Sequence, residues 1–99
     1  MNATYQSHMI VWQGITIELR WAPQWMNSDI CSVAHLELIS EGRVPLPVTE
    51  TGYRSHFTSR EAVEAHGGPV EFAAAWLDHE AQSEAWQRHA EQSKQLSLF

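Results

Sequence analysis

The sequence predicts an α+β domain: a small antiparallel sheet of about three strands, packed against a short helix and a longer C-terminal helix, with a flexible C-terminal tail. Three observations lead there. Ile15, Ile17, Leu19 and Trp21 alternate with Thr16, Glu18 and Arg20, the period-two signature of a half-buried strand. Val70, Ala73, Ala74, Leu77, Ala81 and Ala85 recur at three- and four-residue steps, an apolar stripe along one side of a helix. The chain has 99 residues, 43% hydrophobic and 18% charged, which suits one core rather than two.

Residues 1–8 show little periodicity and read as a loose lead-in, so the domain is expected over 9–91 and a tail over 92–99. A first strand begins at Met9-Ile10-Val11-Trp12, and Gln13-Gly14 separates it from the alternating run described above. Ala22 to Asp29 holds Pro23 and Asn27-Ser28-Asp29 together with Trp25 and Met26. It reads as a loop whose apolar anchors fold back on the core. Alternation resumes over Val33 to Ile39, with Ala34, Leu36 and Leu38 on one face and His35 and Glu37 on the other.

Pro45 and Pro47 remove backbone donors from the next segment and place it at the rim of the sheet. The stretch from Thr49 to Phe57, TETGYRSHF, has no assignable backbone beyond a glycine suited to a sharp turn. Thr58-Ser59-Arg60-Glu61 has the spacing of a capping box and opens a short helix to about Ala65. Gly67 is suited to end that helix, and Pro69 to the first turn of a second one running to about Glu91.

Six basic residues against twelve acidic ones give a net charge of −6, which disfavours direct binding to a phosphate backbone. The excess is C-terminal: from Glu61 onward, seven acids face only Arg88 and Lys94. The longest strongly apolar run, Phe72 to Leu77, is six residues, far short of the roughly 20 that span a bilayer. Cys31 is a single cysteine and the N-terminus lacks the pattern of a secretory signal, so a reducing cytoplasm is the expected compartment.

No cofactor, metal site or catalytic centre is expected. The six histidines contain no HxxxH pair and no cysteine cluster accompanies them. His35 and Glu37 share a strand face, which an exposed polar surface explains. Cys31 and His35 have a spacing that brings side chains together only on a helix, and there is no Gly-rich phosphate loop or GxSxG turn. Tyr53, Arg54 and His56 form a chemically varied segment suited to a secondary interaction site. The competing reading makes Tyr53 and Phe57 structural anchors, with Arg54 reaching Glu61 or Glu64. Trp21, Trp25 and Met26 can form a recognition patch, although most tryptophans in so small a chain are needed inside.

The most informative segment is the last one. Gln95-Leu96-Ser97-Leu98-Phe99 follows a polar stretch and ends the chain on three large apolar side chains. An extended peptide of this kind can place those side chains in adjoining pockets, while the Gln95 amide donates and accepts hydrogen bonds. QLSLF resembles the consensus of the bacterial sliding-clamp-binding motif. The resemblance implies that Gln95 fills a small polar subsite, Leu96 bridges, Ser97 is a tolerated spacer, and Leu98 with Phe99 enters the main hydrophobic pocket. The alternative is a C-terminal arm folded back on its own domain. More broadly, ITIELRW, VTETGYRSHF, GGPVEFAAAWLD and the terminal motif resemble small unassigned proteins of bacterial plasmids and mobile elements, a family that implies no catalytic residues.

The expected function is therefore a non-enzymatic adaptor or modulator whose partner is the bacterial DNA polymerase sliding clamp. Two other classes stay open. Glu61, Glu64, Glu71, Asp78, Glu80, Glu84 and Glu91 can imitate nucleic-acid phosphates and inhibit a host-defence or nucleic-acid-binding protein. A structural subunit of a larger assembly would instead show an apolar patch around the tryptophans.

Overall fold

The structure, a computed structural model, describes residues 4–28 and 32–96, with only the backbone of Asn27 and of 93–96. It is α+β, as the sequence predicts, but the antiparallel sheet has four strands in the order β1-β2-β3-β4. These are β1 (Gln6–Trp12), β2 (Ile15–Asn27), β3 (Ser32–Ser40) and β4 (Tyr53–Thr58), followed by α1 (Arg60–Glu64), α2 (Pro69–Glu80) and α3 (Glu84–Leu96). Among the described residues no helix is long and apolar enough to cross a membrane.

β1 and β2 form a hairpin through Gln13 (φ 48°) and Gly14 (φ 78°), a pair of left-handed residues whose twist matches that of the flanking strands. β1 starts at Gln6, so the lead-in ends earlier than its weak periodicity suggests. The expected loop after Trp21 is also strand: β2 continues to Asn27 and absorbs Pro23 at a shift in register between Ala22 and Met26. A bulge tolerates proline because the ladder is already interrupted there.

The unassigned stretch supplies β4. A single 3₁₀ turn at Glu41–Arg43 leaves β3, and the proline segment contributes only an isolated bridge between Leu46 and Thr49, so β4 rather than the proline segment forms this edge of the sheet. Gly52 has φ +74°, and a Cβ there would lie 2.5 Å from the Arg43 carbonyl carbon and the Ser40 hydroxyl. No side chain fits at this turn.

Ile17, Leu19 and Trp21 from β2 and Ala34, Leu36 and Leu38 from β3 form one face of the core. Val63 of α1, Ala73, Leu77 and Ala81 of the α2 segment, Leu46, Trp12 and Trp86 complete it. Each large side chain enclosed this way stabilises the fold by roughly 1.5–3 kcal/mol before entropy is counted.

The helices depart from expectation at both ends. Ser59, not Thr58, caps α1, its hydroxyl accepting from the Ala62 amide at 3.1 Å; Thr58 belongs to β4. The long helix is two helices. After Ala81 the chain turns, and the Ser83 hydroxyl accepts from the Trp86 amide at 3.2 Å, starting α3. The Gln87 side chain covers the Ala81 carbonyl at 2.8 Å. This break rotates the stripe, so Trp86 is buried while Ala85 is exposed. α3 runs on to Leu96, so residues 92–96 of the expected tail are helical in backbone.

Candidate interaction site on the open sheet face

The helices cover one face of the sheet, and strand alternation places a different chemistry on the other. Cross-strand partners share a face: Arg20 lies opposite Glu37, Glu37 opposite Ser55, and His35 opposite Phe57. With Tyr5 just ahead of β1, they form a connected polar network. The Tyr5 hydroxyl meets His35 Nδ1 at 2.6 Å and the Ser55 hydroxyl meets Nε2 at 2.6 Å. Arg20 pairs with one Glu37 oxygen at 3.1 Å, and the Tyr53 hydroxyl donates to the other. The Arg20 guanidinium also lies 4.6 Å from the Tyr5 ring centre, linking the two halves.

His35 and Glu37 are only 7% and 8% exposed, against the expectation of an exposed polar surface. No helix buries them; large neighbours do. Phe57 stacks on His35 at 4.3 Å, and Trp25, placed by the β2 bulge, packs edge-on against Phe57 at 4.8 Å. Phe57 and Trp25 remain 52% and 36% exposed themselves, so the network is roofed by an apolar surface.

Burial pushes the His35 imidazole below its ordinary pKa of 6.5 and outweighs the opposing effect of Glu37. Neutral His35 donates with one ring nitrogen and accepts with the other, and two hydroxyls satisfy both roles in either tautomer. Tyr5 is raised by burial and then by the Glu37 charge. Tyr53 is raised chiefly by its hydrogen bond to Glu37. Both phenols therefore stay protonated at neutral pH. Ser55 has an imidazole at its hydroxyl, but the second His35 nitrogen faces Tyr5 rather than a carboxylate, an arrangement that holds the ring without stabilising its cation. Among the described residues no group of three His, Cys, Asp or Glu side chains converges as metal ligands.

Tyr53, Arg54 and His56 are divided between the two faces. Tyr53 joins the open-face network, whereas Arg54 lies over the Trp76 ring at 5.6 Å and His56 packs against Trp76 at 4.8 Å. Arg54 reaches neither Glu61 nor Glu64 in an ion pair; Glu64 pairs with Arg60 at 2.8 Å. Trp21 is in the core, and Trp25 and Met26 are surface residues. Three carboxylates of the acidic half are engaged within the chain: Glu64 with Arg60, Glu84 with Arg88, and Asp78 accepting from the Trp12 indole. Gln95 and Leu96 lie in the last turn of the α3 backbone, and Ser97, Leu98, Phe99 and Cys31 fall outside the described residues.

The network itself escapes sequence reasoning. The shared face of His35 and Glu37 is legible from alternation, but Tyr5 and Ser55 join them only through strand register. No curated protein and no solved structure matches the chain. The family model of the KlcB third domain matches residues 5–86, from the tyrosine that opens the network to the tryptophan that closes the core. The chain belongs to the KlcB third domain family.

Proposed function

We propose that this chain is a non-enzymatic adaptor or modulator that docks on the bacterial sliding clamp through Gln95, Leu96, Ser97, Leu98 and Phe99. The observation that carries this reading is the position of the motif: QLSLF lies beyond the family-matched residues 5–86, and later in the chain than Trp86, the last core side chain among the described residues. α3 extends about 15 Å from Trp86 to Leu96 at 1.5 Å per residue, with Arg88, Glu91 and Gln92 exposed along it. The α3 backbone thus carries the start of the motif, Gln95 and Leu96, along the helix beyond Trp86.

Docking as an extended peptide requires Gln95 and Leu96 to leave the helix. The final turn is the cheapest place to unwind, because its carbonyls have no intrahelical donors. Leu98 and Phe99 would then contribute roughly 1.5–3 kcal/mol each on burial, before ordering losses. A plasmid or mobile-element setting, which the sequence resembles, gives such a protein a host replication machine to act on.

The test is titration of labelled clamp with the full chain and with a chain ending at Lys94. A loss of about 100-fold or more on truncation is expected, with Leu98→Ala plus Phe99→Ala reproducing most of it. Equal affinity of the two chains overturns the proposal.

A further inference from the structure

β1 carries several features that a second strand alongside it would complete. It is an edge strand, and its sequence, QSHMIVW, has no charge and no proline. Natural edges normally carry such residues to prevent pairing. Met9 and Val11 point to the open face at 64% and 71% exposure. On the helix-facing side, Nε2 of His8 is buried with no hydrogen-bond partner among the described residues, which is costly to leave so.

A groove of about 380 Å³ adjoins Met9, lined by Thr16, Glu18, Ile39, Ser40 and Glu41 as well. Its two carboxylates have no basic partner among the described residues, and Glu18 accepts only the Ser7 hydroxyl, at 2.9 Å.

We infer that the outer edge of β1 receives an extended segment of a partner protein in which lysine or arginine alternates with valine, isoleucine or threonine. Strand addition places alternate side chains on the same face. The basic residues then lie on the open face, their methylene stems over Met9 and Val11 and their charged heads toward Glu18 and Glu41. The intervening residues fall beside His8, Ile10 and Trp12 on the helix-facing side. A second copy of β1 fits less well because it brings no cation to the groove, and two chains of net charge −6 repel.

A short acetylated, dye-labelled peptide alternating lysine with valine and threonine tests this by fluorescence anisotropy against the full chain. Binding is expected for this peptide and not for its glutamate analogue. Glu18→Lys with Glu41→Lys should weaken it about tenfold or more, while the control pair Glu50→Lys with Glu91→Lys, equal in charge change, has little effect. Amide chemical-shift changes should concentrate on β1, and Val11→Lys, at a solvent-facing position, provides a second block with little risk to folding. Absence of binding, equal loss with the control pair, or shifts confined to another element overturns the inference. So does a dimer in sedimentation that Met9→Lys dissociates, which would make a second copy the occupant.

Discussion

Leu36 and His35 are neighbours in β3 and are buried alike, at 0% and 7% exposure, yet their surroundings differ completely. Leu36 faces helices and depends on packing. His35 faces away from them and depends on two hydroxyls and a stacked phenylalanine. The contrast teaches that side chains from neighbouring strands can bury polar groups on a sheet face that no helix covers, provided each polar atom has a partner.

The sharpest way to break this comparison is to delete packing on the covered face. Leu36→Ala should cost about 2–5 kcal/mol in urea unfolding, because the removed methyl groups leave a cavity among fixed neighbours. Glu37→Ala should cost less, about 1–3 kcal/mol, by leaving the Tyr53 hydroxyl and Arg20 without their acceptor. A double-mutant cycle with Tyr53→Phe measures how much of that loss is the shared hydrogen bond. If Glu37→Ala is as costly as Leu36→Ala, the two faces do not differ in this way.

Acidification gives the smallest and most selective perturbation. Burial lowers both His35 on the open face and His56 on the covered one below 6.5, so the unfolded chain takes up protons first. Stability is therefore fully present above about pH 6.5 and falls as the pH drops from there through the folded-state values. Urea midpoints between pH 7.5 and 5.0 should fall accordingly, and His35→Gln should remove the open-face share of the slope while His56→Gln removes the other. A slope unchanged by either substitution overturns the assignment.

Local patterning carried much of the architecture. The alternation from Ile15 to Trp21 and from Val33 to Ile39 gave the central strands because apolar residues alternate with more polar ones in both. β4 was opaque, since Tyr53, Arg54, Ser55, His56 and Phe57 are polar or aromatic on both sides and produce no contrast in hydropathy. The α2–α3 break was hidden by alanines that fit a continuous stripe, although Ser83 is a good cap. At the site, alternation brought His35 and Glu37 together, but Tyr5 is 30 residues from its histidine, a distance that periodicity does not reach. The terminal motif was legible as a string, and its role rests on the clamp titration.

The Trp12–Trp86 contact, with ring centres 5.6 Å apart, coincides with the C-terminal limit of the family match. One aromatic latch thus ties the first turn of α3 to the cooperative unit, and the turns beyond it are expected to open first. Amide hydrogens beyond His89 should exchange through this local opening, well before global unfolding releases those of β2 and β3. If so, limited proteolysis should trim the C-terminus first and leave a fragment that still unfolds cooperatively.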